Sequence, residues 1–231
     1  MKEAEPFYRR AMAIVEAHFG PENIHLARLA CNLAELYRYQ GRLDEAETLY
    51  QRAAAVAAQE LGPQNSFTIK IHSNLGVLFL DKGEPASAEA VFLEAIPYLS
   101  RSLGEDHPET IHGLTLLADA RARQGKNRQA EENYLSALQS LRTGMGEDQP
   151  DTITAMSALA FFYRNTGQPE KGLPLAERVW DKRRALPQMT RKSIMESLHV
   201  YADLLCLAGH EEEAMAWLER EAELTQYHGP G

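Results

Sequence analysis

The chain has 231 residues, of which 44% are hydrophobic and 25% are charged, and this composition is typical of a folded soluble protein. With 24 Lys and Arg against 33 Asp and Glu, the net charge of −9 disfavours nucleic acid and anionic membranes as partners. No apolar run approaches the ~18 residues that a membrane helix needs. Two cysteines in such a chain exclude a disulfide framework and favour a reducing, cytoplasmic compartment.

Glycine recurs at a fixed interval of 42 residues along the chain. The positions are Gly41, Gly83, Gly125, Gly167 and Gly209. A second set lies half a period away, at Gly20, Gly62, Gly104 and Gly146, and its next position holds Gln188. Small residues keep the same register at Ala34, Gly76, Ala118, Ala160 and Ala202. The chain is therefore built from internal repeats.

Apolar residues between the glycines recur every three or four residues, as Leu29, Leu33 and Leu36 do, and this spacing predicts helices rather than strands. A glycine after each helix lets the chain leave in a left-handed conformation. No single pair of helices can bury its apolar face, so neighbouring pairs must stack. The expected fold class is all-α, a solenoid of antiparallel helix hairpins.

In chain order, we expect one unpaired helix at 3–19 and then five hairpins, each a helix A followed by a helix B. The hairpins are repeat 1 at 24–61, repeat 2 at 66–103, repeat 3 at 108–145, repeat 4 at 150–186 and repeat 5 at 190–227. Together they predict a single array over 1–231. The unpaired helix is either a cap or a sign that the chain is a fragment. At the junction of repeats 4 and 5, Gly172 replaces the usual Ala beside Pro174, and we expect irregular packing there.

The second repeat carries a recognisable pattern of small and aromatic positions. Its residues are His72, Leu75, Gly76, Phe79, Ala88, Phe92 and Ala95. The pattern resembles the tetratricopeptide repeat (TPR), and the 42-residue period, with loops such as LGPQN and LGEDHP, resembles the kinesin-light-chain-type subclass. The resemblance covers essentially the whole chain. It implies a right-handed α-α superhelix in which helices A line a concave surface that binds peptides.

Helical spacing assigns one polar stripe of each helix A to this surface. The candidate groove residues are Arg28, Asn32, Glu35, Tyr39, Lys70, Asn74, Val77, His112, Asp119 and Phe161. The resemblance implies that Asn32 and Asn74 hold the backbone of an extended peptide, since an amide both donates and accepts. Arg28 and Lys70 would attract acidic side chains or a C-terminal carboxylate. The alternative is that these residues form only a solvated polar face.

The later helices A replace the asparagine with apolar residues, so the second half of the groove should bind by apolar contact. There Phe161 is the expected anchor, because buried aromatic side chains dominate many interfaces.

Patterns that would indicate a metal, catalytic or phosphate site are missing from the sequence. His107 and His112 are five residues apart and do not share a helical face. Cys31 has no histidine or other base fixed beside it. GMGEDQ at 144–149 lacks the Lys-Ser/Thr of a phosphate loop. We therefore expect no metal, no cofactor and no catalytic residues.

The sequence thus predicts a non-enzymatic scaffold that binds a protein or peptide segment, with an acidic segment favoured. Nucleic acid and membrane are not expected as partners, and homo-oligomers could form through the exposed solenoid ends. Two alternatives stay open. One is a regulatory or sensor array of a larger signalling ATPase or enzyme, and the other is a peptide-ligand receptor with a closed pocket.

Overall fold

The computed structural model describes residues 4–186 and 190–227. Within these residues the chain forms eleven helices and no strand. The helices are α1 (Ala4–Phe19), α2 (Ile24–Tyr39), α3 (Leu43–Leu61), α4 (Ser66–Asp81), α5 (Pro85–Leu103), α6 (Pro108–Arg123), α7 (Asn127–Gly144), α8 (Pro150–Asn165), α9 (Pro169–Ala185), α10 (Arg191–Leu207) and α11 (Glu211–Tyr227). The expected all-α class is confirmed.

The first helix and each hairpin begin and end within one residue of the ranges expected from the sequence. The helices A are α2, α4, α6, α8 and α10, and the helices B are α1 and the odd-numbered helices after it. Residue 3 of the expected first helix lies outside the described residues. Gln188, the expected break in the glycine series, lies outside them too.

Among the described residues, the glycines with positive φ are those of the two 42-residue series. At Gly41 the φ of 76° turns the chain out of α2, and the Arg42 N–H then donates to the Tyr37 carbonyl at 2.9 Å. This bond satisfies a carbonyl that the last helical turn leaves free. The repeated glycines are therefore required by the backbone at the helix ends.

The first three loops between hairpins share a hydrogen bond that the sequence pattern alone did not indicate. Thr68 donates its hydroxyl proton to the carbonyl of Gly62 at 2.9 Å. Thr110 bonds the Gly104 carbonyl, and Thr152 bonds the Gly146 carbonyl, both at 2.8 Å. All three threonines are buried. Each hydroxyl satisfies a loop carbonyl and fixes the start of the next helix A on the end of the previous helix B.

The chain divides into two compact units, Met1–Lys126 and Asn127–Gly231. In unit 1, α2 packs on α3, α4 packs on α3 and α5, and α5 also packs on α6. The small positions Ala34 and Ala46 are fully buried in its core. A methyl group at Gly76 would lie 2.6 Å from the Phe92 ring, so the small column lets these helices approach closely. The single array over 1–231 stays a prediction.

In unit 2, α8 packs on α7 and α9, and α10 packs on α9 and α11. Gly172 faces Leu204, and a methyl group there would lie 2.6 Å from Cδ2 of Leu204. The glycine thus lets α9 pack closely against α10 at this position. Pro174 is exposed, and α9 continues through it as one helix.

Candidate functional site

The predicted groove residues of unit 1 lie on α2, α4 and α6 and differ in how far they reach solvent. The exposed ones are Arg28, Asn32, Tyr39, Lys70 and His112. The half-buried ones are Glu35, Asn74, Val77 and Asp119. None of them is fully buried, so these helices A share a face whose polar groups reach solvent. We call it the helix-A face of unit 1.

Two exposed cations lie on this face, Arg28 on α2 and Lys70 on α4. The guanidinium carbon of Arg28 stacks 4.6 Å from the centre of the Phe67 ring, which holds an α2 side chain against α4. Burial raises the pKa of the Cys31 thiol to about 12, and the positive charges of Lys70 and Arg28 oppose that rise. The positive charges of Arg28 and Lys70 thus both favour the ionised form of the same thiol. Within the part of the chain that the structure describes, neither cation forms an ion pair.

Glu35, by contrast, is engaged inside the protein. Its carboxylate accepts a hydrogen bond from the Tyr50 hydroxyl at 2.6 Å and pairs with Arg38 at 2.9 Å. Burial raises the pKa of Glu35, but the hydrogen bonds from Arg38 and Tyr50 outweigh burial and lower it. Glu35 therefore joins α2 to α3, and its carboxylate is not free for a ligand.

Arg38 is a residue of this face that the sequence analysis did not select. Its guanidinium pairs with Asp81 at 2.7 Å and so links α2 to α4. The same guanidinium stacks 4.7 Å from the Tyr39 ring, which is 63% exposed. The sequence does contain a signal for this pair. Asp81 lies on the next helix A, one residue beyond the position that is 42 residues after Arg38. Tyr39 is thus an exposed aromatic ring at the end of α2, and the Arg38 guanidinium supports one side of it.

Phe161 shows the same arrangement within unit 2. It is 47% exposed, and the guanidinium carbon of Arg164 lies 4.3 Å from its ring centre. Arg164 pairs in turn with Asp203 of α10 at 3.0 Å. The Arg164 guanidinium therefore supports one side of the Phe161 ring, and the ring stays partly exposed to solvent.

Val77 packs beside the cluster of Leu80, Phe92 and Leu117, which makes it partly a core residue. His107 caps α6, since its Nδ1 accepts from the Glu109 N–H at 3.2 Å. Residues 4–186 and 190–227 contain no group of three or more His, Cys, Asp or Glu side chains placed to hold a metal ion. Across the same residues, no helix combines the length and apolarity of a membrane span.

Family comparison gives repeated matches along the chain. The tetratricopeptide repeat profile matches residues 1–59, 25–100 and 67–143, and a second tetratricopeptide repeat profile matches residues 152–186. No curated protein matches the chain.

Solved structures resemble the chain at low sequence identity. BtubC (BKLC) from P. vanneervenii has 21% identity and a TM-score of 0.80, over 99% of this chain and 92% of that one. A putative kinesin light chain from Podosopora anserina, with nearly identical TPR-like repeats, has 20% identity and a TM-score of 0.75, over 90% and 99%. The Rap conjugation gene regulator of plasmid pLS20, in complex with the Phr* peptide, has 14% identity and a TM-score of 0.66, over 88% and 53%.

The structural likeness shows a shared fold of kinesin-light-chain-like repeats. The profile matches cover more than half of the sequence. The helix hairpins, the 42-residue register and these matches agree, and the chain belongs to the tetratricopeptide repeat family.

Proposed function

We propose that the protein is a non-enzymatic interaction scaffold and that the helix-A face of unit 1 binds an extended, acidic segment of a partner protein. The observation that carries the proposal is that Arg28 and Lys70, exposed on the adjacent helices A α2 and α4, form no ion pair among the described residues. Cations without an ion pair favour an anionic ligand, because the ligand supplies the missing partners.

Two amides complete the site in this proposal. Asn32 is exposed and Asn74 is half-buried, one on α2 and the other on α4. An amide side chain can donate to a peptide carbonyl and accept from a peptide N–H, so two of them can hold an extended backbone. Tyr39, backed by Arg38, would contact an apolar side chain of the segment. The peptide complex of the pLS20 Rap regulator supports peptide binding as a use of this fold.

The test is a charge-reversal variant with a matched control. Proteins retained from native lysate by the wild type are identified, and the Kd of a retained segment is measured for Lys70→Glu/Asn74→Ala. Loss of one attraction and of amide hydrogen bonds worth about 1 kcal/mol each should weaken binding at least about tenfold. Arg128→Glu, an equal charge change at an exposed site of α7, should leave the Kd unchanged.

Circular dichroism and thermal unfolding establish that each variant is folded. The wild-type affinity should also fall as salt rises, since exposed charges are screened. A folded double variant that binds the segment with wild-type Kd would rule out this face as the binding site.

A further inference from the structure

A groove runs between α1 and α3, and α2 contributes Leu33 and Tyr37 to its lining. Its cavity measures about 410 Å³, which is within the usual range for ligand sites. Apolar groups form much of its wall: Met12 and Ala13 of α1, Leu33 of α2 and Leu49 of α3. No residue proposed above to bind the acidic segment lines this α1–α3 groove.

Ion pairs stand at both ends of the α1–α3 groove. At one end, Arg52 of α3 pairs with Glu16 of α1 at 2.7 Å. At the other end, Arg9 donates to the Tyr37 hydroxyl at 2.6 Å and pairs with Glu5 at 2.9 Å. Arg9 and Glu16 are two helical turns apart, so about 10 Å of wall separates the two ends.

The remaining polar groups of the lining are also engaged. Glu45 pairs with Arg42, and the Thr48 hydroxyl donates to the Asp44 carbonyl at 3.0 Å. Every charged side chain that lines the groove therefore has a partner of opposite charge. An ionic ligand would have to displace one of these pairs, whereas an uncharged apolar group would not.

The equivalent positions of α9–α11 indicate which apolar group fits. Four repeat lengths further along, the positions of Met12, Leu33 and Leu49 hold Trp180, Tyr201 and Trp217. These rings pack edge to face, with centroids 6.0 Å apart for the two tryptophans and 5.8 Å apart for Tyr201 and Trp217. Trp180 and Tyr201 are buried.

The same place in the repeat is thus occupied by aromatic rings in α9–α11 and is a cavity in α1–α3. At the same positions α1–α3 carries the smaller side chains Met12, Leu33 and Leu49, and a cavity open to solvent lies beside them. A side chain that enters it would bury its ring against Met12, Leu33 and Leu49, as the tryptophans do against one another.

We propose that the α1–α3 groove is a second docking site, which takes an aromatic side chain from an uncharged segment of a partner protein. The groove is open to solvent along one side. One face of a free small molecule bound there would stay exposed to water. A partner segment would instead cover that face of the side chain that it inserts. The proposal for the α1–α3 groove does not depend on whether the helix-A face of unit 1 binds an acidic segment.

The test uses NMR of the protein labelled with ¹³C at its methionine methyl groups, with the Met12 signal assigned from Met12→Leu. The probes are N-acetyl-tryptophanamide, N-acetyl-leucinamide and an uncharged twelve-residue peptide that carries one tryptophan. We expect both tryptophan probes to shift the Met12 methyl signal saturably and the leucine probe not to. The peptide should bind at least tenfold more tightly than the amide, because it covers the open side.

Met12→Trp/Leu49→Trp introduces into α1–α3 the two tryptophans of the α9–α11 arrangement and should weaken binding of the peptide at least tenfold. Leu93→Trp, which adds an indole at an exposed site of α5, should not. If the double variant does not fold, Thr48→Tyr narrows the groove from its exposed rim and should weaken binding likewise.

Three outcomes would overturn the proposal: no Met12 shift, unchanged peptide binding in a folded groove variant, or an amide that binds as tightly as the peptide. The last outcome would assign the groove to a free aromatic molecule instead of a partner segment.

Discussion

Gly76→Ala tests the close approach of α4 and α5 with the smallest possible perturbation. The added methyl carbon would lie 2.6 Å from Cε1 and Cζ of Phe92, well inside van der Waals contact. The Phe92 ring is 1% exposed, so it has no open space into which to move. Overpacking of this kind costs about 1–3 kcal/mol.

The higher helix propensity of alanine offsets part of this destabilisation. Alanine is better than glycine in a helix by about 0.5–1 kcal/mol. With the middle of each range, the two effects leave Gly76→Ala less stable than the wild type by about 1 kcal/mol. Urea denaturation followed by circular dichroism measures this difference, and the thermal midpoint should fall by a few degrees.

Gly113→Ala is the matched control, in a helix A of the same unit. Its methyl carbon would lie 3.3 Å from Cγ1 of Ile96 and 3.5 Å from Cδ1 of Leu99, contacts that small movements relieve. Its stability should stay within about 0.5 kcal/mol of the wild type. Gly76→Ala should also be coupled to Phe92→Leu. Phe92→Leu should cost about 1 kcal/mol less in the Gly76→Ala background than in the wild type, because the smaller side chain relieves the overlap with the added methyl group. The reasoning fails if Gly76→Ala is as stable as the wild type or if both glycine variants lose the same amount.

Two further substitutions test an ion cluster and a helix end. Burial raises the pKa of Glu89, but hydrogen bonds from Lys126, Gln124 and Arg121 outweigh it and lower the pKa to about 2. The ionised carboxylate therefore stabilises the fold fully above about pH 4.5, and this stabilisation is lost as the pH falls towards 2. Glu89→Gln should lower the free energy of unfolding at pH 7, and urea titrations across this range should show its deficit shrinking as the pH falls; a constant deficit would contradict the linkage. Gly83 has a φ of 75° with open space around it, so Gly83→Ala should cost about 1–2 kcal/mol from the backbone alone, and Gly83→Asn less. Thermal unfolding compares these two, and equal stability of Gly83→Ala and the wild type would argue against the left-handed requirement.

The 42-residue register was sufficient to predict the helices and their ends. It succeeded because a helix boundary depends on local residues, such as the glycine at position 41 and the apolar spacing before it. The register also predicted the family from the small and aromatic positions of repeat 2, and the profile matches confirm it.

Side-chain partners on neighbouring helices could not be read from the register. Glu35 was assigned to a ligand, whereas it bonds Tyr50 and Arg38, because the position within a stripe does not say which side chain reaches across to the next helix. Gly172 was interpreted as irregular, since only the structure shows Leu204 against it. The assignment of Arg28, Lys70, Asn32 and Asn74 to a ligand stays a prediction.

The threonine bonds of the inter-hairpin loops have a consequence for how such a chain changes in length. In each loop the donor and the acceptor are six residues apart, as Thr68 and Gly62 are, so the junction needs no residue from elsewhere. Thr110 and Thr152 repeat the bond one period apart. Excision or duplication of a segment one period long, with its ends in equivalent loops, therefore rejoins an intact junction. The number of hairpins can thus change in an evolving lineage without any new loop having to be invented.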